Sequence, residues 1–372
     1  MVELVDKKIK NFLINNSVPI LMLAVILITF PLSGLSLSYI AHEMILRISR
    51  NLFLVLSLLI PIVAGMGLNF GIVLGAMGGQ IALILVSDWH ILGLQGVFLA
   101  MILSLPLSIF LGYLGGIVLN RAKGREMITS MMLGFFINGV YQLIVLYSMG
   151  KIISIKDKSI LLSSGRGIRN AIDLTGIAGS LDKTFSLKIL DFNIPILTIL
   201  LIGLLCVFII WFRKTKLGQD MKAVGQDMEV SKSSGIEVNK VRVYSIVIST
   251  VLAGIGQIIY LQNIGTMNTY NSHEQIGMFS VAALLIGGAS VAKASIPNAI
   301  SGVILFHMMF ILAPTAGKEL MGSAQIGEYF RVFISYGIIA LVLTMYEWRR
   351  KKEKEREREK AMSLELNKKV SK

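Results

Sequence analysis

The sequence predicts an all-α, polytopic membrane protein with about ten transmembrane helices. Apolar residues make up 54% of the 372 residues and charged residues only 16%, whereas a soluble domain carries about 25% charged residues. The apolar residues also fall into blocks of about 20, the length that crosses about 30 Å of hydrocarbon. The ten blocks are residues 18–39, 51–66, 69–87, 96–119, 127–149, 193–212, 241–262, 276–290, 295–314 and 328–347.

The first block follows a basic N-terminal stretch that contains Lys7, Lys8 and Lys10. It is longer than the apolar region of a signal peptide, which has about 7 to 15 residues, and no clear small-x-small cleavage site follows it. We therefore expect this block to remain in the membrane as an anchor. The second and eighth blocks are short.

The distribution of lysine and arginine predicts that both termini are cytoplasmic, because excess positive charge in short loops marks that side. With ten spans, the basic loops fall on one side and less basic loops alternate with them. Arg47 and Arg50 are an exception between the first two blocks, and residues 150–192, the predicted external loop, are also net positive. Long loops cross the membrane regardless of charge. The basic segments are the N-terminus, residues 121–125, the loop 213–240 and the tail 348–372.

Two glycine-rich segments interrupt the helical pattern, one at residues 61–80 and one at residues 276–299. Glycine permits both close helix packing and unwound backbone. Short, glycine-interrupted segments at corresponding positions of two halves indicate a transport site, so spans 2–5 and 7–10 are interpreted as two related halves with short broken helices. We expect the polar and aromatic side chains of the two segments to line a substrate path, although the aromatic ones could equally be packing residues: Asn69, Phe70, Gln80, Phe279 and Ser280.

The sequence offers little catalytic chemistry. Its four histidines are scattered, and it lacks the HExxH, CxxC, GxSxG and P-loop motifs. Its only cysteine, Cys206, lies in an apolar block. The predicted spans also contain almost no ionisable residues of the kind that mark a proton pathway. We therefore expect no enzyme activity, no cofactor or metal in this chain, and an energy source outside it.

The net charge of +14 does not indicate nucleic-acid binding, because no aromatic residues are interleaved with the basic segments. The tail 348–372 mixes both signs of charge. It is typical of a solvated helix end beside anionic lipid headgroups. Residues 1–347 are accordingly interpreted as a transmembrane domain and the remainder as a basic cytoplasmic tail.

The polar loop 213–240 contains the tetrad Gly-Gln-Asp-Met twice, at 218 and 225. This seven-residue spacing predicts one amphipathic helix over residues 217–230, with both tetrads on one side. Its apolar stripe must be buried against lipid or protein. Two readings follow: a helix lying in the headgroup plane, or a helix that docks into a cytoplasmic ATPase. The stripe consists of Leu217, Met221, Val224 and Met228.

This loop resembles that of the ABC importer permeases for ribose, nucleosides and branched-chain amino acids, and the likeness extends over about residues 50 to 345. The glutamate that nucleoside-type members have before Gly-Gln is absent here. The similar stretches are Thr215-x-x-Gly218-x-x-x-x-Ala223-x-Gly225, Ser234-Gly-Ile236, Leu252-Ala-Gly-Ile-Gly256, the run Gly277–Gly288, Glu126-Met-Ile-Thr-Ser-Met-Met-Leu133, and Leu68-Asn-Phe-Gly71 with Gly79-Gln80.

The resemblance implies a permease subunit in the bacterial inner membrane. It implies pairing with a second copy or a paralogue, two cytoplasmic ATPases that bind ATP, and an extracytoplasmic binding protein that delivers substrate. We expect a nucleoside or simple sugar as the substrate, with a branched-chain amino acid as the alternative. A motor-free channel or scaffold is the rival of another class. The residues expected to couple the chain to the ATPase are Leu217, Gly218, Met221, Ala223, Val224, Gly225, Met228 and Gly235.

Overall fold

The computed structural model describes residues 16–189 and 192–323, and scattered residues between 325 and 351. The described part is mainly helical. Its α-helices are α1 (Ser17–Leu32), α2 (Leu37–Ser57), α3 (Leu59–Val63), α4 (Ile72–Asp88), α5 (Gly93–Arg121), α6 (Glu126–Leu143), α7 (Ser180–Thr184), α8 (Ile196–Phe212), α9 (Lys216–Gln226), α10 (Met228–Ser233), α11 (Val238–Ile264), α12 (Glu274–Ile286) and α13 (Ile296–Met321).

The remaining elements are short. A π-helical turn, Ile144–Ser148, continues α6, and a 3-10 turn covers Lys158–Ile160. Four strands form two antiparallel pairs: β1 (Ala171–Asp173) pairs with β4 (Thr266–Asn268), and β2 (Ser186–Ile189) pairs with β3 (Phe192–Pro195).

Five helices within the described part are long and apolar enough to cross a membrane. A sixth span results if α8 and α9, which are bent by 73° at a short break, are counted as one. Three shorter apolar helices, α1, α4 and α12, complete the set. The prediction of a polytopic helical protein is thus confirmed, whereas the count of ten stays a prediction because block 328–347 lies largely outside the described residues. The five helices long enough to cross a membrane are Leu37–Val63, Gly93–Arg121, Glu126–Ser148, Val238–Ile264 and Ile296–Leu320.

The second span differs from its sequence-based prediction. It is a 27-residue helical segment, Leu37–Val63, rather than a short block, and it includes Arg47 and Arg50. Arg47 pairs with Glu43 one turn earlier at 3.2 Å, and Arg50 Nη1 donates to Asn263 Oδ1 on α11 at 3.4 Å. Because both cations have partners, the helix continues through them. They are therefore not loop residues and do not bear on orientation.

The described residues belong to two compact units, one within residues 1–35 and 309–372 and the other within residues 36–308. In the first unit, α1 is apolar throughout and Pro31 lies in its last turn. In the second, α4, α5 and α11 pack against one another at short range. A β-carbon at Gly75 of α4 would lie only 2.0 Å from the carbonyl oxygen of Thr250 on α11, so glycine is required for this approach.

The segment between α6 and α8 is held in place from both sides. At the end of α4, the buried Asp88 Oδ1 accepts the backbone N–H groups of Lys156 and Asp157, at 2.6 and 2.8 Å. Further along, Ile172 pairs with Met267 in the β1–β4 ladder that follows α11. This long loop is therefore anchored to the ends of two core helices.

Candidate functional site

The two predicted interruptions of the helical pattern lie in contact with each other. The first break, residues 64–71, separates α3 from α4, and the second break, residues 287–295, separates α12 from α13. A β-carbon at Gly67 would lie 3.0 Å from Val291 Cγ1 in the second break. One at Gly277 on α12 would lie 3.6 Å from the carbonyl oxygen of Phe70. The structure thus brings the broken segments of the two sequence halves together.

Unwound backbone in the first break depends on two glycines. Gly65 and Gly67 have φ angles of +71° and +69°, a region that side-chain-bearing residues rarely adopt. The glycines that follow in α4, such as Gly78 and Gly79, are helical and serve close packing on α5 and α11 instead. Gly65 and Gly67 therefore permit unwound backbone, whereas Gly78 and Gly79 permit close helix packing.

Asn69 and Phe70 lie in the first break, as predicted. The Asn69 side chain is 2% exposed and its Oδ1 accepts the Gly71 N–H at 2.9 Å, which begins α4. Among the described residues its Nδ2 has no hydrogen-bond partner. The backbone N–H of Phe70 donates to Ser130 Oγ on α6 at 3.1 Å. The break is therefore tied to α6 and carries an amide donor available to another group.

Gln80 belongs to a buried polar cluster that the sequence analysis did not assemble. Its Oε1 lies 2.6 Å from Nδ1 of His273, and the other ring nitrogen, Nε2, lies 2.8 Å from Asn138 Oδ1. Asn138 Nδ2 in turn donates to the Glu274 carboxylate. This polar cluster, Gln80, Asn138, His273 and Glu274, links α4 and α6 to the start of α12.

An aromatic residue borders the polar cluster. The Tyr141 ring lies edge-on to the His273 imidazole, with ring centroids 5.0 Å apart, and its hydroxyl donates to the carbonyl oxygen of Thr269 at 2.9 Å. Tyr141 and His273 are both buried. The cluster thus gathers hydrogen-bond donors, acceptors and a ring within a small volume, and its members are bonded to one another and to nearby carbonyl groups.

The predicted path residues on α12 lie further along that helix. Ser280 is buried, and the Phe279 ring packs on Phe306 of α13 with centroids 5.7 Å apart. The structure therefore places the five predicted residues in three groups: the first break, the polar cluster and α12. The contact with Phe306 agrees with the packing alternative for Phe279.

Three members of the polar cluster were missed by the sequence analysis, although one carried a usable signal. Asn138 is a polar residue in the middle of the apolar block 127–149, and polar groups at that depth need partners. Asn138 carries no charge, so it is not among the ionisable residues that mark a pathway. His273 and Glu274 lie just before the block 276–290; Glu274 is one of the few ionisable residues near a span edge, but its partners lie on distant segments.

The loop 213–240 contains two helices rather than the single helix predicted over residues 217–230. Asp227 separates α9 from α10, and its Oδ1 accepts the N–H groups of Glu229 and Val230 at 2.9 and 3.0 Å. Such N-capping by aspartate starts a new helix. The second Gly-Gln-Asp-Met tetrad therefore straddles a helix boundary, and the two copies have different structural roles.

The Thr-x-x-Gly part of the loop motif has a local structural basis. Thr215 Oγ1 accepts the Gly218 N–H at 3.2 Å and caps α9. A β-carbon at Gly218 would lie 2.0 Å from the Phe212 carbonyl oxygen, so only glycine fits where α9 turns back on α8. At the other end of the loop, Gly235 has a φ of +82° and ends the turn after α10.

The apolar stripe of the loop is covered by the chain's own helices. Met221 and Val224 are 0% and 2% exposed, and Leu217 and Met228 pack against the same cluster, which includes Ile60 of α3. This finding corrects the expectation that a partner protein buries the stripe. A partner at this loop would contact the opposite, exposed face instead, which displays Gln219, Lys222, Gln226, Glu229 and Val230.

Gly225 places α9 directly on the first break. A β-carbon at Gly225 would lie 2.2 Å from the Val63 carbonyl oxygen, and one at Gly65 would lie 2.9 Å from the Gly225 α-carbon. Ala223, two residues before Gly225, is half-buried. The loop helices and the first break are thus in backbone-to-backbone contact.

Broken helices that meet within a helical domain, with amphipathic helices packed against one of the breaks, are the arrangement expected of a membrane transport subunit. A family profile described as "Branched-chain amino acid transport system / permease component" matches residues 39–346. The chain belongs to this permease family. It is therefore a multi-pass protein of the bacterial inner membrane, and its relatives are transport components rather than enzymes.

Curated relatives include permeases for several solutes. The chain is 26% identical over 241 residues to the nucleoside ABC transporter permease protein NupB of Lactococcus lactis, which covers 63% of this chain and 60% of NupB. It is 27% identical over 164 residues to the fructose import permease protein FruF of Bifidobacterium longum, a match that covers 40% of this chain and 44% of FruF. It is 24% identical over 167 residues to the high-affinity branched-chain amino acid permease LivH of Salmonella typhimurium, a match that covers 45% of this chain and 49% of LivH.

The matches thus span 60% of NupB and less than half of the other two relatives. No solved structure matches the chain.

Proposed function

We propose that this chain forms the translocation path of an ATP-driven importer for a nucleoside or a simple sugar. The observation that carries the proposal is the contact between the two breaks, with the polar cluster on one side of α4 and α9 beneath the first break. Non-helical backbone at membrane depth is tolerated where it is buried in protein or lines a cavity. In transporters, such paired breaks accompany the substrate site.

The chemistry of the polar cluster favours a neutral, hydroxyl-rich substrate. Gln80, Asn138 and His273 bond to one another, so a substrate would exchange these bonds for bonds to its own hydroxyl groups, and Tyr141 supplies a ring. A site that binds sugar hydroxyl groups needs this combination once the ligand has lost its water. The names of NupB and FruF agree with this class of substrate.

A branched-chain amino acid is the second candidate, and the family description and LivH support it. An amino acid brings an ammonium and a carboxylate, which need opposite charges or helix termini as partners. The polar cluster offers one carboxylate, Glu274, and the described hydrogen bonds bring no lysine or arginine to it. For this reason we favour the nucleoside or sugar.

The proposed partners occupy opposite ends of the chain. One ATPase docks on the exposed face of α9 and α10, a second docks on the partner permease, and both bind ATP, so this chain needs no cofactor of its own. A binding protein delivers substrate at the end that carries the anchored segment 150–189. A second copy or a paralogue completes the path. A motor-free channel is less compatible with this arrangement, because the breaks pack on each other and on α9.

Uptake by the full transporter tests the proposal. The chain is co-expressed with its ATPase and binding protein, and uptake of labelled uridine, fructose and leucine is compared in cells that lack their own carriers. Gln80→Ala and Asn138→Ala should lower uptake of the preferred solute about tenfold, since a lost hydrogen bond to a buried polar group costs about 1–3 kcal/mol. Asn69→Ala should act in the same direction, because it removes a buried amide donor that has no partner among the described residues.

Gln275→Ala is the matched control, because this glutamine lies on α12 beside Glu274 but is exposed. It should leave uptake unchanged. Membrane abundance of every variant is measured on the same samples. Transport of leucine alone would reject the proposed substrate class, and normal uptake in both Gln80→Ala and Asn138→Ala would remove the proposed path.

A further inference from the structure

Arg242, near the start of α11, is a fully buried cation. Each of its side-chain nitrogens has a partner on a different element. Nε donates to Asn120 Oδ1 at the end of α5 at 3.0 Å, and Nη2 donates to Glu126 Oε1 at the start of α6 at 2.6 Å. Nη1 lies 3.1 Å from Met228 Sδ on α10. One guanidinium thus joins three helices to α11.

The energetics of this arrangement indicate a role other than stabilisation. Removing an ion pair from water costs about as much as its mutual attraction returns, so an apolar pair of similar volume is often as stable. The rigid fork of arginine nevertheless fixes the direction of each bond. The Arg242–Glu126 pair is 0% and 12% exposed. Beyond apolar packing it supplies a defined orientation of α11 relative to α6, and the Nη1 contact with Met228 Sδ extends this orientation to α10.

The contacts of Glu126 lead directly to the first break. Ser130 lies four residues after Glu126 on α6, so the two side chains are neighbours on one helix face. Ser130 Oγ accepts the backbone N–H of Phe70 at 3.1 Å. A continuous series of contacts therefore runs from Met228 on α10, through Arg242 and α6, to the C-terminal part of the first break.

The N-terminal part of the same break is reached by a second contact. Gly225 on α9 packs its backbone against Val63 and Gly65. The two loop helices thus touch the first break at both of its ends, once directly and once through Arg242. A displacement of α9 and α10 as one body would act on the whole break.

We propose that Arg242 is a positioning residue that holds α10 to α6, so that movement of the loop helices reaches the backbone at Phe70. The inference rests on the proposed function, because it assumes that a partner ATPase moves α9 and α10. It assigns a role to the Arg242–Glu126 pair that neither the loop motif nor the glycine pattern indicated.

The test compares coupling with folding in the complete complex. The permease, its ATPase and its binding protein are reconstituted in proteoliposomes, and ATP hydrolysis and uridine uptake are measured on the same sample. Arg242→Met leaves Glu126 buried without its cation and is expected to lower both abundance and coupling. The decisive variant is Arg242→Met combined with Glu126→Leu, which removes both charges and restores folding.

If Arg242 is a positioning residue, the double variant is as abundant and as thermostable as wild type. The ratio of ATP hydrolysed to uridine transported rises at least about fivefold in this variant, which is the lower end of typical coupling between sites. Wild-type coupling in the folded double variant would overturn the proposal, because a purely structural role predicts that result.

Arg47→Met is the matched control. Arg47 is paired with Glu43 on the same helix, at 3.2 Å, and joins no second element through that bond. Its removal should leave the ratio of hydrolysis to uptake unchanged, and a ratio changed as much as in the double variant would show that any lost cation has this effect. Failure of the wild-type complex to take up uridine, fructose or leucine would instead reject the proposed function, so the two failures are distinguishable.

Discussion

Replacement of Gly225 by alanine tests how tightly α9 rests on the first break. The added β-carbon would lie 2.2 Å from the Val63 carbonyl oxygen and 3.0 Å from the Gly65 nitrogen. The first distance is more than 1 Å below ordinary van der Waals contact. Both neighbours are backbone atoms, so no side chain can rotate to make room. Either α9 or the break must shift.

The expected cost follows from two opposing terms. Overpacking of a well-packed site costs about 1–3 kcal/mol, whereas alanine in a helix interior gains about 1 kcal/mol over glycine. Gly203→Ala on α8 is the matched control, because no atom outside its own helix backbone lies within 4 Å of the added β-carbon. Only the gain in helix propensity therefore remains. Gly225→Ala should therefore be less stable than Gly203→Ala by about 1–3 kcal/mol.

Thermal unfolding of the detergent-purified chain measures this difference. Gly225→Ala should unfold several degrees below Gly203→Ala, at about 2 °C for each kcal/mol in a chain of this size. Because the displaced α9 carries the proposed docking face, the ATPase should also co-purify less well with Gly225→Ala, and still less with Gly225→Trp. Equal unfolding temperatures and equal ATPase retention in the two alanine variants would refute the reasoning.

Two further predictions concern orientation and the anchored segment. Reporter fusions should place Lys222 in the cytoplasm and residue 170 outside, since basic short loops mark the inner side; a cytoplasmic signal at residue 170 would reverse the topology. Asp88→Ala removes the acceptor of the Lys156 and Asp157 N–H groups, at a cost of about 1.5–3 kcal/mol for each bond to the charged carboxylate. Faster proteolysis of the segment after Lys156 is expected, and wild-type cleavage rates would contradict this anchoring role.

The sequence by itself determined the class of fold and the places where it is interrupted. Hydropathy depends on composition within a window, and a helix that crosses a membrane needs about 20 apolar residues wherever it packs. The same local logic located both breaks, since Gly65, Gly67 and Gly288 adopt positive φ angles that follow from the absence of a β-carbon. It also located the amphipathic loop, because the stripe through Met221 and Val224 is a local periodicity.

Only the tertiary structure decided what those features contact. Whether a glycine unwinds a helix, as Gly65 does, or seats it on a neighbour, as Gly75 does, depends on the atoms opposite it and not on adjacent residues. The apolar stripe of α9 is covered by α3, α8 and α11 of the chain itself. The same reason explains why no sequence pattern predicts the polar cluster or the Arg242–Glu126 pair. Gln80 and His273 are 193 residues apart in the chain, and Arg242 and Glu126 are 116 apart, so their pairing depends on the packing of distant helices, which no local pattern encodes.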